Sequence, residues 1–260
     1  MSMLGVLLSN PIPSEVDSAQ QKSYVSYYQS YLDRTASSGT PASPSRYVTM
    51  LENRSLLSAG GTTGLRTWEA ALHLGQYLCE NRSVVQGKRL LELGAGTGYL
   101  SIVCAKYLGA EHVLATDGSD DVVNNMPDNF FLNDLQGSDR IVAAPLNFGW
   151  ALVGTEEEKW NGARPLDVVL GADITYDKSV IRPLVSTFEE LFMLYPQTKI
   201  YISATQRNHE TFQAFLDECK KYGLVVEEMD FAKPANKASQ QGPYYSDKVE
   251  IKICKILRPK

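Results

Sequence analysis

No Cys-x-x-Cys pair occurs in this chain, which has only four cysteines and three histidines in 260 residues. A structural zinc site needs clustered thiols or imidazoles at short spacing, so no metal is expected. Cys79, Cys104 and Cys219 sit in helical patterns, where cysteine acts as a small hydrophobe. Unpaired thiols of this kind suit a reducing compartment. No apolar run is long enough to span a bilayer. The short apolar lead Met1–Leu8 has no basic start and meets Pro11 and Pro13, so it does not read as a signal peptide. A cytoplasmic location without a membrane partner is expected. There is no long basic stretch either, and the formal net charge is −5. That disfavours direct binding of nucleic acid, whose phosphates select a cationic face. A monomer is the expected state.

What is present is an ordinary apolar fraction, 43%, and a length that suits one α/β domain with a short appendage. The appendage is read as residues 1–60 and the main domain as 61–260. Ser14–Asp17 makes a capping box that would open a helix with Tyr24, Tyr27, Tyr28, Tyr31 and Leu32 on one face. Packing on the main domain is the plainer reading of that stripe, and a docking surface the alternative. Residues 35–46, rich in Ser, Gly and Pro, form a linker. Tyr47–Leu51 and Ser55–Leu57 flank Glu52-Asn53-Arg54 and predict a small hairpin. A helix from about Thr67 to Glu80 follows, with Thr67 as its N-cap.

From residue 88 strands and helices alternate. Strands are expected near 89–93, 112–116, 141–143, 166–172 and 199–203, and helices near 98–108, 119–133, 178–195 and 209–222. Two closing strands, near 224–230 and 247–257, have no helix between them. Repeated strand–helix units imply parallel strands, and the closing pair implies an antiparallel edge. The expected fold is α/β, a Rossmann-like seven-stranded sheet, mostly parallel with an antiparallel edge strand.

The chain is organised around Arg89-Leu90-Leu91-Glu92-Leu93-Gly94-Ala95-Gly96-Thr97-Gly98-Tyr99-Leu100. This reads as a buried strand, a glycine turn and a helix start. Gly94, Gly96 and Gly98 let the backbone approach a ligand closely. The helix that follows is apolar at Leu100, Val103, Cys104, Tyr107 and Leu108. A dinucleotide fingerprint would need glycine at 99, where Tyr99 stands. Glu92 lies just before the first glycine, where a carboxylate can meet a cationic ligand end. Asp117, at the tip of the next strand and roughly 20 residues on, is the expected ribose clamp.

Two further stretches carry chemistry. Trp150 follows Asn147-Phe148-Gly149, and its ring is either an adenine-stacking surface or a core tryptophan. Gly171-Ala172-Asp173-Ile174-Thr175-Tyr176-Asp177 follows a buried strand, so its polar residues belong at the ligand crevice of a parallel sheet. Asp173 is read as functional and Asp177 as the cap of the next helix. The histidines are read as structural, with His209 a weak rim candidate.

Glu92-Leu93-Gly94-Ala95-Gly96-Thr97-Gly98 resembles the first motif, E/D-x-G-x-G-x-G, of the seven-strand S-adenosylmethionine-dependent methyltransferases. Asp173-Ile174-Thr175-Tyr176 resembles the D-x-x-Y motif of the protein-lysine methyltransferases of that fold. Thr63-Gly64-Leu65-Arg66-Thr67-Trp68-Glu69-Ala70-Ala71 is similar to the stretch ahead of the first motif in the branch acting on eukaryotic elongation factor 2. Members of that branch often carry a longer N-terminal region than this chain does. The resemblance implies S-adenosylmethionine as cofactor and a protein substrate, elongation factor 2. It implies that Trp68, Gly94, Ala95, Gly96, Asp117, Trp150 and Ala172 line the cofactor site. It implies that Asp173 and Tyr176 stand by the target lysine. A methyltransferase for another protein or a small molecule, and a cofactor-binding interaction module, are the alternatives.

Overall fold

The structure is a computed structural model, and it describes residues 21–34, 46–53, 63–152, 165–231, 240, 242–246 and 248–259. Two strands, β1 (Ser23–Tyr28) and β2 (Tyr47–Glu52), pair antiparallel, with the short helix α1 (Tyr31–Arg34) between them in sequence. Then come α2 (Glu69–Glu80), β3 (Arg89–Leu93), α3 (Tyr99–Lys106), β4 (His112–Asp117), α4 (Asp120–Leu132) and β5 (Ile141–Pro145). The chain continues through β6 (Val168–Ala172), α5 (Lys178–Leu194), β7 (Lys199–Thr205), α6 (His209–Lys221), β8 (Val225–Glu228) and β9 (Ile251–Leu257).

The main sheet has seven strands in the order β5-β4-β3-β6-β7-β9-β8. The first five run parallel, while β9 is antiparallel to both β7 and β8. This is the Rossmann-like sheet with an antiparallel edge that the alternating pattern implies. Side chains along each strand point alternately to the two faces. Leu90, Val113, Val168, Leu170 and Tyr201 join a core with α2, α3 and α4. Leu91, Leu93, Leu114, Val169, Ile200 and Ile202 join a second core with α5 and α6. Strand order reverses between β3 and β6, and at that point the strand ends open a crevice.

The N-terminal elements differ from expectation. The tyrosine stripe is not one face of a helix: residues 23–28 form β1, and only Tyr31 and Leu32 of that set lie in a helical turn. Tyr27 is buried, whereas Tyr24 is 71% exposed, as strand alternation requires. Tyrosine and valine fit a pleated surface, and pairing with β2 overrides the local helical spacing. Among the described residues the strand partner of β2 is β1; residues 55–57 of the expected hairpin and the capping box at 14–17 lie outside the described residues. Val48 and Met50 of β2 are fully buried in the core shared with α2 and α3.

Among the described residues, side chains pair the side of β2 away from β1. Asn129 of α4 and its C-cap Asn133 stand one turn apart. Asn133 accepts from the Thr49 N–H (3.0 Å) and donates to the Thr49 carbonyl (2.7 Å). Asn129 accepts from the Leu51 N–H (2.7 Å) and donates to the carbonyl of Thr97 in the glycine turn (2.9 Å). One amide therefore ties the hairpin to the turn. Asn129→Ala leaves two backbone groups without their partner, at a cost of roughly 2–3 kcal/mol in unfolding free energy. Denaturant titration of the two proteins measures this, and an unchanged midpoint would contradict the tie.

Candidate active site

The crevice at the switch point is a cavity of about 680 Å³, within the size of ordinary small-molecule sites. Gly98 and His209 do not line it, while Trp68, Glu92, Gly94, Ala95, Gly96, Asp117, Trp150, Ala172, Asp173 and Tyr176 all do. The parallel register does this. Leu93, Thr116 and Gly171 lie side by side, so the residues just beyond them emerge at one sheet end.

The floor is the turn from β3 to α3. Gly94 has φ +62°, and a Cβ there would lie 2.6 Å from Ile174 Cγ2 and 3.7 Å from Phe148 Cζ. Only glycine fits that conformation and that gap. Gly98 occupies the N-cap of α3 and has no side chain to satisfy the first turn. Glu92 fills that role from inside the sheet: its Oε2 accepts from the Ser101 N–H (2.9 Å) and from the Ser101 hydroxyl. Its carboxyl is 2% exposed. Burial pushes its pKa up from 4.5 to about 8, the Ser101 bonds lower it, and neighbouring Asp117 raises it.

Asp117 ends β4. Its Oδ2 accepts from Gly96 N–H and its Oδ1 from Ser119 N–H, both at 3.1 Å. Burial raises its pKa, and the backbone bonds from Ser119, Gly96 and Gly118 oppose the rise. With those bonds made, the carboxylate retains acceptor capacity for a ligand hydroxyl. Trp150 is 63% exposed, so it is a rim residue and not a core tryptophan.

The opposite wall comes from β6 and β7. Asp173 adopts φ +54°, a left-handed conformation uncommon outside glycine and found at functional sites. The residue is 9% exposed. Its Oδ1 accepts from the Thr205 N–H and its Oδ2 from the Thr205 hydroxyl, both at 2.9 Å. Tyr176 is 57% exposed beside it. Asp177 caps α5, its Oδ1 accepting from Ser179 N–H at 2.8 Å.

One expectation is corrected here, and the place of one weak candidate is given. Thr67 does not cap α2; Trp68 holds the N-cap position without a side-chain bond. The Thr67 hydroxyl instead donates to buried Glu52 Oε1 (2.6 Å) and meets the Thr97 hydroxyl (2.7 Å). Glu52 also accepts from Tyr27 (3.0 Å), so the hairpin reaches the glycine turn a second way. His209 is only the first residue of α6, capped by Asn208, whose Oδ1 accepts from Glu210 N–H at 2.9 Å.

The sequence reading missed Thr205, Arg207 and Arg66. Thr205 has a signal, because it ends the strand next to β6. The two arginines have none: their guanidinium carbons lie 5.0 Å and 4.3 Å from the Trp68 ring centre through folding alone.

Glu92 makes stability depend on pH in a defined direction. Between pH 4.5 and about 8 the unfolded chain has lost a proton that the folded chain keeps. Unfolding therefore releases a proton, and Glu92's contribution to stability falls as pH rises through that window. It is on the order of a few kcal/mol across the window. Thermal unfolding from pH 5 to 8 is expected to show a steeper loss in the wild type than in Glu92→Gln; parallel curves would contradict it.

The lysine methyltransferase family profile matches residues 53–222, from the end of β2 through α6. The chain is 53% identical to protein-lysine N-methyltransferase EFM3 of Chaetomium thermophilum over 99% of its own length and 74% of that protein's. It is 31% identical to human protein-lysine N-methyltransferase EEF2KMT, over 68% of its own length and 56% of the human protein's. The chain thus spans little more than half the length of that relative. Among solved structures, the methyltransferase domain of bacterial-CtHen1-CN shares the fold, with TM-score 0.51 and 14% identity over 72% of this chain and 97% of that one. The chain belongs to the lysine methyltransferase family, whose methyl donor is S-adenosylmethionine.

Proposed function

We propose that this chain transfers a methyl group from S-adenosylmethionine to a lysine side chain of a protein, as a cytoplasmic monomer, with translation elongation factor 2 as acceptor. The observation that carries this reading is Asp173. It is a carboxylate set by Thr205 in a strained backbone, on the cavity wall across from the glycine turn. Elongation factor 2 is supported by the Gly64–Ala71 resemblance and by the human relative EEF2KMT.

The residues present fit the cofactor. Gly94 leaves backbone bare where a Cβ would collide, and Ala95 and Ala172 keep neighbouring wall positions small. Asp117 retains acceptor capacity for ribose hydroxyls, and Trp150 offers an exposed ring for adenine. Glu92 presents its negative form to the cationic end, which would draw its raised pKa back down. Trp68 closes the side nearest Asp173. S-adenosylmethionine supplies an electrophilic methyl on a sulfonium that leaves readily.

The chain's own residues then orient the acceptor. A lysine with a pKa near 10.4 arrives as ammonium. Enclosure in the cavity disfavours the charged form, so the proton departs more easily. Asp173 and the Tyr176 hydroxyl take hydrogen bonds from the amine and aim its lone pair into the cavity. Alignment in a water-poor site is the larger share of the acceleration.

A transfer assay tests this. Chain and tritiated S-adenosylmethionine are added to a lysate from cells lacking the endogenous enzyme. One labelled band at the size of elongation factor 2 is expected. Asp173→Ala should lower the label by about 100-fold or more, and Tyr176→Phe by about 10-fold. Label in another protein would remove elongation factor 2. Label in small molecules alone would remove the protein-lysine reading.

A further inference from the structure

The amine-holding corner of the cavity already contains a cation, the chain's own Arg207. Its Nη1 and Nη2 lie 3.3 Å and 3.4 Å from Asp173 Oδ2. Its Nη2 also lies 3.1 Å from Glu69 Oε2, and its guanidinium rests against the Trp68 ring. The carboxylate and indole face that would hold an alkylammonium are thus engaged by a resident group. The Asp173 side chain is 7% exposed, and a carboxylate so enclosed is costly to leave without a positive partner.

We infer that Arg207 is a specificity-determining residue, a resident cation that the target lysine must displace from Asp173. This rests on the reading of Asp173 as the residue that holds the acceptor amine. The anchoring of Arg207 permits the exchange. Its backbone is pinned, since Gln206 N–H donates to Glu250 and Asn208 caps α6. Its side chain, at 41% exposure, is held among the described residues by two ion pairs and the ring. Glu69, the partner nearer solvent at 25% exposure, remains to hold the guanidinium after it leaves Asp173.

Exchange of one cation for another selects the acceptor. An ammonium restores the charge balance at Asp173 when it takes the place of Arg207. A hydroxyl or neutral amide does not, and leaves Asp173 unpaired if it enters. Acceptors other than amines are rejected by the cost of that unpaired charge. The same occupancy weakens lysine binding by the fraction of time the corner is filled.

The test uses n-butylammonium, the end of a lysine side chain, and n-butanol, its neutral counterpart. Each is titrated into wild type and Arg207→Ala, and the Trp68 indole N–H resonance is followed by NMR, with Trp68→Phe for assignment. Arg207→Ala is expected to bind n-butylammonium about three- to ten-fold more tightly. That gain should persist at 0.5 M NaCl, where long-range attraction is screened, and n-butanol should show no gain. Equal or weaker ammonium binding in Arg207→Ala overturns the inference. An equal gain for butanol also overturns it, since Arg207 would then be a steric plug. Failure of the lysine reading is distinguishable: protein stays unlabelled in the transfer assay while the ammonium titrations still differ.

Discussion

A buried carboxyl group near the end of β3 holds the glycine-turn side of the cavity together. Glu92 cannot be solvated, so it must find donors inside, and Ser101 in the first turn of α3 provides two. The same contact satisfies a helix start whose cap residue is glycine. The Glu92 carbonyl accepts from the Thr116 hydroxyl at 2.7 Å, and the Ala95 N–H donates to the Thr116 carbonyl at 2.8 Å. Strand, turn, helix and neighbouring strand are thereby locked into one geometry, and the glycine turn cannot drift from Asp117.

Around that junction the fold adds a second support from the N-terminal side. Asn129 of α4 and its C-cap Asn133 pair the backbone of β2, and Glu52 accepts from Thr67, whose hydroxyl meets that of Thr97. The hairpin is thus part of the frame that holds the turn. Residues 63–68, ahead of α2, carry Arg66 and Trp68, and the Asn53 N–H to Leu65 carbonyl bond ties them to the hairpin. The ring that closes the cavity near Asp173 takes its place from this frame.

The electrostatics divide the cavity. On the β3–β4 side, carboxyls of raised pKa face the glycine turn, suited to a ligand with hydroxyls and a positive charge. On the β6–β7 side, Asp173 is matched by Arg207, which rests on the Trp68 ring together with Arg66. On the proposed reading, the first region would meet the methyl donor and the second the acceptor, within one cavity.

Much of this was legible in the residues. The alternation of apolar runs with helical periods determines a parallel sheet, because each run buries both faces and each helix one. The closing strands without a helix determine the antiparallel edge. The glycine spacing, Asp117 and Asp173 identify the ligand end of that sheet, since parallel strands all present their C-terminal ends to one crevice. The tertiary structure alone decided the rest. Tyr24–Tyr28 carries helical spacing, yet non-local pairing with Tyr47–Glu52 makes it a strand. Thr67 reads as a cap, yet buried Glu52, 15 residues away, takes its hydroxyl. Arg207 lies 34 residues from Asp173 and 138 from Glu69, a separation that no local pattern bridges. Local sequence fixes periodicity and turn chemistry, whereas which side chains share a cavity depends on long-range packing, and that exists only once the chain has folded.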